Sequence, residues 1–304
     1  MIPALKKGDT VAIVAPAKTI EKEYIDYAVD FFEKNGYKVL VGKNCLAQHN
    51  YFAGTDEERL ADFQEALDNP DVKAIICARG GYGCVRIVDE IQWASLLNHP
   101  KWIVGFSDVT VFHQRINILG LPSIHGTMPL NFKENSPESL TTLLQHLEGN
   151  HQAVTIASHP MNISGKAEGN LIGGNLSILY SLLGTDDEVD FQDTILFIED
   201  LAEQLYHLDR MFFAFKKAGV LGQINGLIVG GMTDMKDTAI PFGKSWEEII
   251  IEHIKPYNIP LVFDFPAGHI NDNRALVFGE KVTLEVSNQS NSYVKYHQKT
   301  TLAY

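Results

Sequence analysis

The sequence predicts an α/β fold in two parts: an N-terminal domain with a mainly parallel sheet, and a smaller, mixed, β-rich C-terminal domain. In the first 150 residues, short apolar runs rich in β-branched residues alternate with segments of helical periodicity. This alternation is typical of parallel strands joined by helical crossovers. Beyond that point the predicted strands outnumber the predicted helices. A chain of 304 residues, of which 45% are hydrophobic, is long enough to bury two cores.

The first half of the chain reads as strand and helix in turn. Gly36 ends the first helix as a C-terminal cap, and the capping box that begins at Thr55 starts the second. Ser136 before Pro137 starts the last helix of this half. The predicted strands cover residues 10–15, 37–41, 73–78, 102–104 and 122–125, and the predicted helices cover 21–35, 55–69, about 85 onwards, 108–118 and 136–149.

The second half is richer in predicted strands. Short apolar runs predict strands at 152–157, 166–172, 194–198, 226–229, 261–263, 275–278 and 281–286, with helices at 175–183, 203–218 and 245–254. The change of pattern indicates a domain boundary between the two halves. We therefore predict an N-terminal domain over 1–150, a linker region over 151–164 and a C-terminal domain over 165–304.

Composition excludes several classes of protein. The net charge of −13 argues against nucleic acid or an anionic membrane as a partner, because both are polyanionic. Cys45, Cys77 and Cys84 are odd in number and fit no zinc-binding spacing, which favours a reduced, cytoplasmic protein without a metal site. The apolar run at 11–17 is too short for a signal peptide, and no run reaches transmembrane length.

Ser107 stands on the sharp turn between the strand at 102–104 and the helix at 108–118. This is the geometry of a nucleophile elbow, in which the hydroxyl stands clear of the sheet edge near a helix N-terminus. Gly105 lets the chain bend tightly, although Val109 departs from the usual Gly-x-Ser-x-Gly pattern. The alternative is that Ser107 is only the N-terminal cap of the helix.

A glycine-rich turn at 80–83 follows the strand at 73–78, so it falls at the same edge of the predicted sheet as Ser107. It lacks the spacings of Rossmann and P-loop motifs. Three interpretations stay open. The turn cradles a phosphate, or it is a tight turn and nothing more, or one of its N–H groups acts with the N–H of Asp108 as an oxyanion hole.

His269 and Glu199 are the candidates to activate a serine, which needs a histidine base and a carboxylate to orient that base. Among the 11 histidines, His269 is the best placed, because it follows Gly268 in a loop directly after an apolar strand. Glu199 also directly follows an apolar strand, whereas its neighbour Asp200 suits a structural cap. From spacing alone this triad is a hypothesis.

Five motifs occur in order along nearly the whole chain: Ala78-Arg79-Gly80-Gly81-Tyr82-Gly83, Gly105-Phe106-Ser107-Asp108-Val109-Thr110, Gly173-Gly174-Asn175-Leu176, Ile198-Glu199-Asp200 and Gly268-His269. Together they resemble the LD-carboxypeptidase family of serine peptidases. That family includes muramoyl-tetrapeptide carboxypeptidases and microcin C self-immunity hydrolases. The resemblance implies a flavodoxin-like N-terminal domain, a smaller β-rich C-terminal domain and a homodimer.

The resemblance also implies a mechanism. Ser107 is the nucleophile, His269 is the general base and then the acid, and Glu199 orients His269. The backbone N–H groups of Gly81 and Asp108 form the oxyanion hole. The implied reaction is hydrolysis of the L,D-peptide bond to the terminal D-alanine of cytoplasmic murein tetrapeptide, through an acyl-enzyme and without a cofactor.

Two further residues are predicted to contact the substrate. Arg79 suits bidentate binding of the terminal carboxylate, with a structural ion pair as the alternative. Asn175 either binds substrate or caps a helix. Two other functions stay open: a self-immunity-type hydrolase of peptidyl or aminoacyl adenylate analogues, and a non-catalytic nucleotide- or phosphate-binding α/β module.

Overall fold

Two sheets and the helices that cover them make up the protein. The computed structural model describes residues 2–297. Its strands are β1 Thr10–Val14, β2 Lys38–Val41, β3 Val72–Cys77, β4 Trp102–Gly105, β5 Ser123–His125, β6 Val154–Ile156, β7 Gly165–Asn175, β8 Thr194–Leu201, β9 Gly226–Thr233, β10 Leu261–Val262, β11 Leu276–Phe278, β12 Lys281–Val286 and β13 Ser292–Tyr296. Its α-helices are α1 Lys22–Lys34, α2 Asp56–Asp68, α3 Ala94–Asn98, α4 Thr110–Ile118, α5 Pro137–Leu147, α6 Leu176–Leu182, α7 Leu205–Lys217 and α8 Trp246–Ile254.

The first sheet has the strand order β2-β1-β3-β4-β5-β11. Strands β1 to β5 run parallel, and their order is that of a flavodoxin-like sheet. Apolar clusters cover both faces, which explains why these strands read as continuous apolar runs. The predicted α/β class is confirmed. Because the strand order reverses between β1 and β3, a crevice is expected at the carboxyl ends of those two strands.

The second sheet has the order β10-β9-β8-β7-β12-β13-β6. Strands β7 to β10 are parallel, and β12, β13 and β6 add antiparallel pairs, so this sheet is mixed as predicted. The strand predicted at 194–198 is longer in the structure and continues to Leu201. Glu199 and Asp200 therefore lie within β8, where its pairing with β9 continues through a bulge.

One strand joins the two halves of the chain. β11 belongs to the second half by sequence, yet it pairs antiparallel with β5 at the edge of the first sheet. The segment predicted as a linker, 151–164, contains β6, which pairs with β13. The domain boundaries at 1–150 and 165–304 stay a prediction, and residues 298–304 lie outside the described part of the chain.

The predicted start of a helix at about Val85 is wrong, because Cys84–Arg86 form a short 3₁₀ turn, further turns follow, and the α-helix of this stretch, α3, begins only at Ala94. Other groups replace the hydrogen bond that a helix would form between residues 92 and 88. The Trp93 indole donates to the Val88 carbonyl at 2.9 Å. The Gln92 backbone N–H donates to Gln64 Oε1 at 2.8 Å. The apolar residues Ile87, Val88 and Ile91 are buried although the segment that carries them is not an α-helix.

Candidate active site

Ser107 lies on an elbow between β4 and α4, at the carboxyl edge of the first sheet. Its φ of +62° is a left-handed conformation that strains a residue with a side chain. Gly105 makes the turn possible, because a Cβ there would lie 2.8 Å from Val109. The cap alternative is wrong: the N-cap residue of α4 is Val109, and no side chain caps that helix end. The Ser107 side chain lines a cleft instead.

Glu199 of the second sheet holds the imidazole of His269. Glu199 Oε2 accepts a hydrogen bond from His269 Nδ1 at 2.6 Å and another from the His269 backbone N–H at 3.2 Å. The Glu199 side chain is fully buried, and Phe106 packs against the imidazole with ring centroids 4.9 Å apart. A carboxylate can only accept here, so Nδ1 carries the hydrogen and Nε2 keeps a lone pair for a proton.

The pKa values of His269 and Asp200 both lie above their ordinary values, for different reasons. Burial alone would lower the pKa of His269, but the charge and hydrogen bond of Glu199, with the charge of Asp200, outweigh it. The pKa of His269 therefore lies above its ordinary value of 6.5. Burial first, and then the neighbouring Glu199 charge, raise the pKa of Asp200 to about 7. Asp200 accepts hydrogen bonds from the Asn175 side chain and the Ser177 backbone, so it holds the start of α6.

A cleft of about 350 Å³ collects residues from the carboxyl edges of both sheets. Its lining includes all but one of the residues predicted for the site: Arg79, Gly81, Ser107, Asp108, Asn175 and His269. The exception, Glu199, contacts His269 without lining the cleft. Within residues 2–297 no hydrogen bond joins the Ser107 hydroxyl to His269; in unliganded enzymes such bonds often tighten only when substrate binds.

The glycine-rich turn packs against the elbow. A Cβ on Gly80 would lie 3.3 Å from the backbone nitrogen of Asp108. The Asp108 carboxylate accepts the backbone N–H of Cys84 at 2.8 Å, and the buried Arg59 donates to the Gly83 carbonyl at 3.0 Å. These bonds fix the turn beside the backbone N–H of Asp108. Sequence analysis missed Arg59, because nothing in the periodicity of α2 marks an arginine as buried.

Arg79 and Asn175 differ in their free hydrogen-bonding groups. Arg79 donates to the Thr19 carbonyl at 2.9 Å, and it forms no ion pair with a carboxylate of the described residues, so the ion-pair alternative lacks support. Asn175 Oδ1 caps α6 by accepting the Ile178 backbone N–H at 3.2 Å, and its Nδ2 donates to Asp200 at 2.9 Å. The Asn175 amide is thus engaged within the protein, whereas Arg79 keeps donors for a ligand.

Residues 2–297 contain neither a cluster of metal-ligating side chains nor a membrane-spanning helix. No three or more His, Cys, Asp or Glu side chains there are grouped to hold a metal ion. Cys45, Cys77 and Cys84 are buried and free of disulfides. No helix in that range has the length and apolar character needed to cross a membrane.

An imidazole oriented by a buried carboxylate, beside a serine elbow and a glycine turn, provides the groups that hydrolases use for acyl transfer. The sequence-family model of the LD-carboxypeptidase N-terminal domain matches residues 11–126, and that of the C-terminal domain matches residues 168–284. The chain therefore belongs to the LD-carboxypeptidase family, and it is a peptidase.

Individual relatives are similar over nearly their whole length. A probable murein peptide carboxypeptidase of Bacillus subtilis (strain 168) is 35% identical over 293 residues, 94% of this chain and 92% of that protein. The murein tetrapeptide carboxypeptidase of Pseudomonas aeruginosa is 31% identical over 299 residues, 90% and 92% of the two. The microcin C7 self-immunity protein MccF of Escherichia coli is 25% identical over 332 residues, 97% and 96%. The crystal structure of muramoyltetrapeptide carboxypeptidase from Oxalobacter formigenes matches with a TM-score of 0.88 at 28% identity, covering 96% of this chain and 100% of that one.

Gly268→Ala is expected to lower peptidase kcat/KM by about 100-fold, because small displacements within an active site have effects of that size. Gly268 has a φ of +106°, and its new Cβ would lie 2.7 Å from Glu199 Cβ. That contact pushes Glu199 away from His269. Kinetic assays of the purified variant measure the loss of activity, and urea unfolding measures the loss of stability separately.

Gly243→Ala is the matched control. Gly243 also has a positive φ, +86°, but its Cβ would meet nothing within 4 Å. Both variants therefore carry backbone strain of about 1–2 kcal/mol, and both should unfold at a lower urea concentration than wild type. Only Gly268→Ala should lose activity. An equal loss of activity in both would attribute the effect to strain and not to the contact with Glu199.

Proposed function

We propose that the protein is a serine carboxypeptidase that hydrolyses the L,D-peptide bond to the terminal D-alanine of murein tetrapeptide. One observation carries the proposal: His269, held by Glu199, faces the same cleft as Ser107 in a member of the LD-carboxypeptidase family. The names of the Bacillus and Pseudomonas relatives support the substrate class.

In the proposed mechanism, Ser107 Oγ attacks the carbonyl carbon of the scissile bond while His269 Nε2 takes the hydroxyl proton. Glu199 keeps Nδ1 protonated and stabilises the imidazolium. His269 then donates its proton to the D-alanine nitrogen, the C–N bond breaks, and an acyl-enzyme remains. A water molecule, deprotonated by Nε2, then attacks the acyl carbon; the ester bond to Ser107 Oγ breaks, Nε2 returns the proton to Oγ, and the shortened peptide leaves.

The oxyanion that forms in each step is stabilised by backbone N–H groups. We assign the two donors to Gly81 and Asp108. Gly81 has a φ of +103°, a conformation that favours glycine. The Asp108 carboxylate bonds to the backbone of Cys84, so it helps to keep the glycine turn and the elbow together.

The kcat/KM of the wild-type enzyme is expected to rise with pH to a plateau, with a midpoint above pH 6.5. Protonated His269 cannot take the Ser107 proton, and the pKa of His269 lies above 6.5. The active fraction therefore grows as the pH rises through that pKa. Initial rates across a pH series at constant ionic strength measure the midpoint. A midpoint well below 6.5 would contradict the stabilisation of the imidazolium by Glu199.

Arg79→Ala is expected to raise KM by roughly 10- to 100-fold with a smaller change in kcat, because a charge-assisted hydrogen bond to the substrate carboxylate is lost. Steady-state kinetics on a tetrapeptide acid and on its C-terminal amide measure the effect. Wild type should prefer the acid, and Arg79→Ala should not. Arg79→Lys keeps the charge and serves as the control. An unchanged preference in Arg79→Ala would remove Arg79 from this role.

Mass spectrometry of murein tetrapeptide incubated with the protein tests the proposed function, and release of D-alanine is the expected result. A self-immunity-type hydrolase is the second candidate, supported by the similarity to the Escherichia coli protein. Hydrolysis of an aminoacyl sulfamoyl adenosine without D-alanine release would favour it. No reaction with either compound would favour a non-catalytic binding module.

The location, the oligomeric state and the partners of the enzyme belong to the same proposal. We infer cytoplasmic peptidoglycan recycling, a homodimer, and no need for a cofactor, nucleic acid or membrane. Cell fractionation tests the location, and light scattering of the purified protein tests the dimer. A membrane-bound fraction or a monomer at micromolar concentration would contradict these two points.

A further inference from the structure

Charges of opposite sign reach the cleft from the two sheets. Lys18 and Arg79 come from the turns after β1 and β3, whereas Asp200 and Glu203 come from the end of β8 and the loop after it. Neither cation forms an ion pair with a described carboxylate, and the Lys18 ammonium lies over the Tyr51 ring at 4.8 Å. The cleft therefore suits a ligand with an anionic group near the first sheet and a cationic group near the second.

Of the two acids, Glu203 has a free carboxylate oxygen and Asp200 does not. Asp200 uses its oxygens on N–H groups of the protein, from Asn175 at 2.9 Å and Ser177 at 2.9 Å. Glu203 Oε2 accepts from His207 Nδ1 at 2.5 Å, and no group in residues 2–297 hydrogen-bonds to Oε1. The Glu203 side chain is 22% exposed, so a ligand in the cleft can reach that oxygen.

The backbone around Glu203 is held by pairing with a second segment. The Glu203 carbonyl accepts the Lys236 N–H at 2.8 Å, and the Leu205 N–H donates to the Lys236 carbonyl at 2.9 Å. Ala202, with a φ of +62°, turns the chain out of β8 just before this pair. The carboxylate is therefore held in place before a ligand arrives, which reduces the entropy lost on binding.

We propose that Glu203 binds the side-chain ammonium of the diamino acid whose carbonyl Ser107 attacks. The inference rests on the proposed function, because in murein tetrapeptide that ammonium is the cation nearest to the scissile bond. A charge-assisted hydrogen bond to Oε1 would then select for a free amine. Acylation of the amine removes its charge and adds bulk. The enzyme therefore acts on peptides that are not cross-linked through that amine, and a reaction that hydrolyses such cross-links precedes it.

Two synthetic tetrapeptides test this inference, one with lysine as the diamino acid and one with Nε-acetyl-lysine. The wild-type kcat/KM for D-alanine release should favour the free amine by roughly 10- to 100-fold. Glu203→Gln should bring that ratio close to one. A third tetrapeptide carries Nε-succinyl-lysine, which is anionic. Glu203→Lys should reverse the wild-type preference for the lysine peptide over this one. The ratio is measured within each variant, so partial unfolding does not change it. Glu90→Gln removes an exposed carboxylate outside the cleft and should keep the wild-type ratio.

The outcomes separate the two hypotheses. If wild type released D-alanine from the lysine and the Nε-acetyl-lysine peptides with equal kcat/KM, the role of Glu203 would be overturned and the proposed function would stay intact. A Glu203→Gln variant that keeps the wild-type preference would have the same consequence. Failure of wild type to release D-alanine from either peptide would overturn the proposed function and this inference with it.

Discussion

Ser107→Ala is expected to lower kcat for D-alanine release by about 10⁴- to 10⁶-fold, the range seen when the nucleophile of a serine hydrolase is removed. The variant lacks the oxygen that we propose as the nucleophile, while the elbow keeps its backbone. Substrate binding should survive, because the charged side chains of the cleft are unchanged. Mass spectrometry of the released D-alanine measures the loss of activity, and labelling with a serine-reactive phosphonate measures the loss of the reactive hydroxyl.

Ser177→Ala is the matched control, because Ser177 lines the same cleft. Its hydroxyl donates to Asn175 Oδ1 at 2.8 Å, so it is engaged within the protein. This variant should keep phosphonate labelling and most of its activity. Activity of Ser107→Ala within tenfold of wild type, or a phosphonate adduct on a different serine, would show that the nucleophile is misassigned.

Glu199→Gln is expected to lower kcat by about 10⁴-fold, as replacement of the orienting carboxylate does in a serine protease triad. Glu199 Oε1 is buried without a hydrogen-bond partner, so an amide NH₂ at that position would be unsatisfied. The opposite amide orientation places the NH₂ against His269 Nδ1. That contact favours the tautomer with its hydrogen on Nε2, which cannot take the Ser107 proton.

The pH profile distinguishes this loss from misfolding. Loss of the Glu199 charge removes the main influence that raises the pKa of His269, so the acidic limb of kcat/KM should move to lower pH. A smaller folded fraction would lower the rate without moving that limb. A variant with reduced kcat but an unchanged midpoint would therefore argue against electrostatic support of His269 by Glu199.

Local patterns were enough to predict the elements around Ser107. The strand, the turn and the helix each have their own signal within a few residues, and Gly105 marks the bend. The same patterns overpredicted the helix after Val85, because the Gln92 N–H that would continue it is bound instead by Gln64, 28 positions away, which no local pattern shows. They also did not predict β13, in which serine, tyrosine and lysine residues give a weak apolar signal.

The contacts across the site could not be predicted from spacing. Glu199 and His269 are 70 positions apart; their places after apolar strands made the pair a hypothesis, and the resemblance to a family implied it more strongly. Glu199 was expected to follow its strand, whereas it lies within β8, because the pairing with β9 continues beyond the apolar run. Glu203 had no local signal at all. Its proposed role depends on Oε1, the carboxylate oxygen that the hydrogen bond to His207 leaves free.

The position of β11 has a consequence for how the chain folds during synthesis. The outer edge of β5 stays unpaired until Phe278 has left the ribosome, since β11 is the strand that covers it. An open parallel sheet edge is prone to pairing with other chains, and closing such a long-range contact is slow. His269 lies shortly before β11 in the chain. The step that closes the sheet edge therefore also brings His269 towards Ser107, and halves of the chain expressed separately should form a working enzyme only when β11 pairs with β5.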